Sequence, residues 1–200
     1  MRASNKLAFA IACLLPGMLL AGRDLPSQAH FLASYGGQAA APVKSGQLLY
    51  VPTGATLTTW NYRNPDFPWI VSDTSRQPLD GAITAVVQYG DYLYASWQGY
   101  AGSGVAIYSL AKPNRPKLVD RGDQPQGIAF GRIASLAVQG DKLFVFDSDH
   151  GLVVQSLANP LRPRVIGTGA SVPADVTGAA DGRLLAAGRT FVDSTSLSVY

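Results

Sequence analysis

After its first thirty residues the chain arranges its apolar positions in short runs, each bounded by Gly, Pro, Asn or Asp. Ile83 to Tyr89 is rich in β-branched residues and lies between Gly81 and Gly90. Tyr92 to Trp97 follows a Gly-Asp pair. Val105 to Leu110 follows the glycine-rich stretch Gly99 to Gly104, and Lys117 to Asp120 follows Pro116. Runs of this kind with turn residues between them predict four short strands joined as consecutive hairpins. No segment past the first thirty residues sustains a 3.6-residue apolar period, so helices are not expected there.

The pattern repeats. A turn followed by an apolar strand occurs at Ser45–Tyr50, Gly90–Tyr94, Gly140–Phe144 and Asp181–Leu185. A second strand occurs at Leu57–Asn61, Val105–Ser109, Leu152–Ser156 and Leu197–Tyr200. A Pro-x-x-Pro element with an apolar pair follows at Asn64–Ile70, Lys112–Leu118 and Asn159–Val165. Pro65 to Pro113 is 48 residues and Pro113 to Pro160 is 47, while Trp60, Tyr108, Gln155 and Tyr200 step by 48, 47 and 45. Three signals in one phase define a repeat of about 47 residues, and four strands in that length match one blade of a β-propeller. The expected fold is therefore all-β, with blades at about 46–81, 82–131, 132–174 and 175–200, the last cut short. Some three and a half blades follow from the length, which is the expectation either for the front part of a longer chain, favoured by the stop inside a repeat, or for a ring that closes as an incomplete or swapped four-blade unit. Residues 30–45 are expected to be a linker or a strand that closes the ring.

Each Pro-x-x-Pro element falls just before the fourth strand of its blade. Proline cannot donate to a ladder, so it suits an edge. Arg115, Lys117, Arg162 and Arg164 flank these prolines, and charge at an outer edge discourages pairing between molecules. That role accounts for these residues without a ligand.

The stretch from Gly151 through Leu152, Val153, Val154 and Asn159-Pro160-Leu161-Arg162-Pro163 to Ile166 resembles the LVIVD repeat family, and Val105 to Val119 resembles it next best. The resemblance covers roughly residues 46 to 200. The family's aspartate after the apolar stretch is Asn61, Ser109 or Ser156 here. The resemblance implies a propeller-like protein, exported or surface-attached in bacteria, often joined to other surface modules and largely without assigned chemistry.

The beginning of the chain points the same way. Arg2 and Lys6 precede an apolar run from Leu7 to Leu20, and small residues follow at Ala21, Gly22, Ser27 and Ala29. A basic start, a short apolar core and small residues describe a secretory signal peptide over 1–29, cleaved after Gly22 or Ala29. The run is too short for a spanning helix. Cys13 lies inside it, so lipidation is not the favoured reading, and the mature chain then has no cysteine.

Composition sharpens the picture in one respect. Charged residues make up 14%, against roughly 25% in typical domains. The 16 Lys and Arg residues give a net charge of +3, too few and too scattered along the sequence for a nucleic-acid footprint.

Candidate chemistry is sparse. His30 and His150 are the two histidines, so a Ser-His-Asp triad would need His150. Asp147-Ser148-Asp149-His150-Gly151 resembles the start of a Ca²⁺ loop, with Asp147 and Asp149 as oxygen donors. It is one residue short, and an Asx turn explains it equally. Trp97 and Tyr100, beside glycines, are the candidate contacts for a protein or glycan. The expectation is an exported, non-enzymatic binding module at the cell envelope with no cofactor. The alternative is a lactonase- or quinoprotein-like propeller enzyme, which the lack of any glutamate after the leader disfavours.

Overall fold

The computed structural model describes residues 40–122, 128–169, 176–181, 183–189 and 195–199, the last three ranges by backbone alone. The leader over 1–29 and most of the expected linker or closing strand, residues 30–39, lie outside the described residues. Three four-stranded antiparallel sheets follow one another, each a simple up-and-down meander. The first comprises β1 (Val43–Ser45), β2 (Leu48–Thr53), β3 (Thr56–Asn61) and β4 (Trp69–Asp73). The second comprises β5 (Ala82–Tyr89), β6 (Tyr92–Gln98), β7 (Ser103–Ser109) and β8 (Lys117–Asp120). The third comprises β9 (Ile133–Gln139), β10 (Lys142–Asp147), β11 (Gly151–Ser156) and β12 (Arg164–Thr168). A three-stranded sheet of β13 (Val176–Asp181), β14 (Arg183–Arg189) and β15 (Thr195–Val199) comes last. The first strands are the inner ones, with β9 packed between β5 and β13. These sheets are the blades of a β-propeller.

The first blade begins at Val43, not at the Gly46 turn. Val43 pairs with Tyr50 and Ser45 with Leu48, so the end of the expected linker is an inner strand. Its three residues hold no apolar run, and only the partner strand reveals it. The hairpins behave as the turn residues dictate. Gly90 and Gly140 take φ of 54° and 57° in two-residue connections between paired Tyr89 and Tyr92 and between paired Gln139 and Lys142. That left-handed backbone matches the strand twist and suits glycine.

The period of two explains why the strands read as unbroken apolar runs. On β6 and β7, Leu93, Ala95, Trp97, Ala106 and Tyr108 face the first blade, in one core that includes Tyr50 and Leu57. Tyr94, Val105 and Ile107 point the other way, into a core with Ile133, Leu143 and Val145 of the third blade. Both faces of the second blade are thus buried, so neither needs a polar position. A third cluster of Ala137, Phe146 and Leu152 lies on the far face of the third blade.

Hydrogen bonds tie one blade to the next. The Tyr50 hydroxyl donates to the Pro113 carbonyl at 3.0 Å, and the Tyr94 hydroxyl to the Pro160 carbonyl at 2.8 Å. A tyrosine of one blade therefore holds the proline turn of its neighbour, twice in succession. The equivalent residue of the third blade is Phe144, which has no hydroxyl to donate. Thr84, the extra residue where β5 skips a pairing step against β6, reaches the Ile133 carbonyl of the next inner strand at 3.1 Å.

Candidate functional site: two ends and a rim

A meander places its connections alternately at two ends of the blade. One end carries the hairpin turns after the inner strands together with the proline turns. Its layers are joined by backbone bonds from Tyr62 to Gln47 at 3.0 Å, Leu110 to Asp91 at 2.7 Å and Leu157 to Asp141 at 2.7 Å. The opposite end carries the β2–β3, β6–β7 and β10–β11 turns and the connections between blades.

The sequence candidates all belong to that opposite end, but the structure separates them. Trp97 lies on β6 and is 4% exposed. Its indole N–H donates to the Arg121 carbonyl at 2.7 Å. Its strand partner is Gly104, where a Cβ would collide with the Gly122 carbonyl and crowd the indole nitrogen. The neighbouring glycines suggest a loop, but Trp97 itself is a buried residue of the strand. Tyr100, three residues on, stands fully exposed at the tip of the β6–β7 loop. The two rings do not form one surface.

Asp147 is buried and Asp149 exposed. One carboxylate oxygen of Asp147 accepts the backbone N–H groups of Asp149 at 3.1 Å and His150 at 2.9 Å, and lies 2.8 Å from the His150 ring Nδ1. Its other oxygen is buried without a hydrogen bond. Asp149 accepts from the Ser148 hydroxyl at 2.8 Å. This is an Asx turn, in which one oxygen of Asp147 is engaged by the turn's own backbone. Among the described residues, no group of three or more His, Cys, Asp or Glu is placed to hold a metal. The Asp147–His150 pair is half of an acid–base arrangement. The nearest hydroxyl in sequence, Ser148, is bonded to Asp149.

The proline turns form a more regular surface. In each, the first proline is the second residue of a turn closed by a backbone bond: Phe67 to Asn64, Arg115 to Lys112 and Arg162 to Asn159, at 3.2, 2.8 and 3.0 Å. Asn61, Ser109 and Ser156 each accept a backbone N–H two residues on, at 2.9, 3.3 and 3.3 Å. Three different side chains thus do one local job, that of a short polar acceptor opening a turn.

The outer strands then share an irregularity. Pairing skips Val71 on β4, Val119 on β8 and Ile166 on β12, each the extra residue of a bulge. A bulge re-aims a side chain. All three of these β-branched residues are exposed, Ile166 at 55%. Apart from Tyr100, every exposed large hydrophobic among the described residues lies on an outer strand or the proline turn feeding it, with Phe67 at 75% and Trp69 at 47%. Sequence reading missed this rim because Trp69-Ile70-Val71 looks like a buried run. The regular spacing of the proline elements was the available signal.

Two further features concern stability. Burial raises the pKa of Tyr50 and Tyr94, with Tyr89 and Tyr92 adding to the effect at Tyr94. The Tyr108 hydroxyl is buried without a hydrogen bond. Burial pushes its pKa up to about 12, opposed by the Thr74 hydroxyl, which approaches it without reaching hydrogen-bond geometry, and by the Arg121 guanidinium. At the opposite end Arg121 also meets Asp80 at 3.4 Å, an exposed pair screened by solvent.

No family model matches the sequence, and no curated protein matches it. Solved structures share its architecture. The computationally designed Ika4 protein is 13% identical, with a TM-score of 0.56 over 85% of this chain and 94% of that one. A thermostable family-43 glycoside hydrolase is 12% identical, with a TM-score of 0.51 over 85% and 72%. U3-55K is 17% identical, with a TM-score of 0.50 over 76% of this chain and 49% of its own. At such identities the likeness concerns the fold alone. Among the described residues, no helix is long and apolar enough to cross a membrane.

Proposed function

We propose that the chain is an exported, propeller-type binding module of the bacterial cell envelope that works through contact and not through catalysis. The observation that carries this reading is the repeated bulge, which turns Val71, Val119 and Ile166 outward at one position of three successive blades. Exposing an aliphatic side chain even in part forgoes some of its burial, on the order of 1 kcal/mol for a residue of this size. One exposed residue needs no explanation. The same exposure built by the same irregularity in three blades supports a surface with a partner. The leader-like first thirty residues support export, and the LVIVD-like repeats support the envelope.

Proline and charge along these strands still protect against edge pairing, as the sequence suggests. The two roles are compatible, because edge protection concerns the backbone and the proposed contact concerns the side chains. The experiment is co-sedimentation of the purified chain with isolated cell envelopes. Wild type should pellet with the envelopes, and a Phe67→Ser/Trp69→Ser variant should remain in the supernatant with an unchanged melting temperature. A wild-type chain that stays in the supernatant refutes the reading.

A further inference from the structure

The rim differs in chemistry from blade to blade at two equivalent positions. The last residue of the proline turn is Phe67 in the first blade, Arg115 in the second and Arg162 in the third. The residue after the second proline is Trp69, Lys117 and Arg164 in turn. Two equivalent positions therefore hold an aromatic pair in one blade and a cationic pair in each of the next two. All six side chains are exposed. Each pair stands beside one of the bulge aliphatics, Val71, Val119 or Ile166. The blades are also in direct contact at the rim, where the Ser72 hydroxyl of β4 donates to the Asn114 carbonyl at 2.7 Å. That bond sets the turn of Lys112 and Arg115 alongside the strand of Trp69 and Val71. The proline turns themselves carry one acidic residue, Asp66.

We infer that this rim docks on an anionic phospholipid surface, an inference that rests on the binding role proposed above. Aromatic rings favour the boundary between headgroups and acyl chains. Basic residues beside them are attracted to anionic headgroups. Aliphatic side chains beside the charges add shallow burial, the combination found in interfacial membrane binders. The charge pattern disfavours a second copy of the chain, since a rim docked on itself would set cation against cation. Nucleic acid would use the basic residues but give Val71, Val119 and Ile166 nothing to contact. An acidic protein is the remaining competitor, and the experiment separates it.

The test uses the full chain with phosphatidylcholine vesicles, with and without phosphatidylglycerol. The chain should float with the anionic vesicles only, and raised salt should weaken that association. Arg115→Glu/Arg162→Glu should lower the vesicle affinity by about tenfold or more. Trp69→Phe should strongly reduce the quenching of tryptophan fluorescence by brominated lipid, leaving only the share of half-buried Trp60 on the adjoining β3, because Trp97 is buried. All of these substitutions are on exposed sites, so an unchanged melting temperature confirms that the fold is intact. Absence of flotation with anionic vesicles overturns the lipid assignment. So does flotation that the charge reversal leaves unaffected. Binding to poly-glutamate or duplex DNA without vesicle binding also overturns it, while leaving the rim as a binding surface. Envelope binding that persists without vesicle binding has the same consequence, so the two proposals fail separately.

Discussion

The middle and outer strands of a blade are built from similar residues and meet opposite fates. On β6, Leu93 to Trp97 is buried without interruption, whereas on β4 four of five residues are exposed. Trp97 and Trp69 are both strand tryptophans beside β-branched or small neighbours. One donates its N–H into the core and the other stands in solvent. Residue type does not decide between them. Position in the blade does, because a middle strand is sandwiched between two neighbouring blades while the outer strand has a neighbour on one flank only. Among the described strands full burial is therefore confined to the inner three, and the fourth adds only half-buried residues such as Leu118 and Val165 to the cores, which leaves its other side chains available for contact.

The largest expected effect tests that division. Leu143→Ala, fully buried between the second and third blades, should cost about 3 kcal/mol in a denaturant titration. Trp69→Ser should cost less than about 0.5 kcal/mol. Equal losses at the two sites would erase the distinction.

A smaller effect concerns the buried tyrosines. Tyr94→Phe removes a bond to the neighbouring blade's proline turn and should destabilise by about 1 kcal/mol. Tyr108→Phe removes a buried hydroxyl that has no bond, so it should be neutral or slightly stabilising by the same measurement. Raised tyrosine pKa values also have a signed consequence. The folded state holds the proton more tightly than the unfolded chain, so their contribution to stability is complete below the ordinary tyrosine pKa of about 10. It falls as pH rises toward the folded value of about 12 at Tyr108. Tyr108→Phe should make the alkaline loss of stability shallower, and an unchanged slope would mean that the hydroxyl is not protected as described.

Much of the fold was legible because turn chemistry and apolar runs agreed. The Gly-Asp pairs at 90–91 and 140–141 are the hairpin connections, and each Pro-x-x-Pro element feeds an outer strand. The short strand Val43–Ser45 was not legible, since only pairing with β2 defines it. Nor was the burial of Trp97, because the carbonyl that satisfies its N–H belongs to Arg121, 24 residues on. The bulges at Val71, Val119 and Ile166 are a matter of register, which depends on two strands at once. The Asp147 turn was legible in one of its two readings, and the hydrogen bonds to backbone and to His150 match that one.

The central claim is that the outer rim, and not the loop end that bears Tyr100, makes the contact. Hydroxyl-radical footprinting of the chain, free and bound to envelopes, tests it most directly. Phe67, Trp69 and Leu161 are exposed at the rim and Tyr100 at the other end, so all four label readily in the free chain. Binding should suppress labelling at Phe67, Trp69 and Leu161 and leave Tyr100 unchanged. Protection of Tyr100 with the rim still labelled would contradict the account.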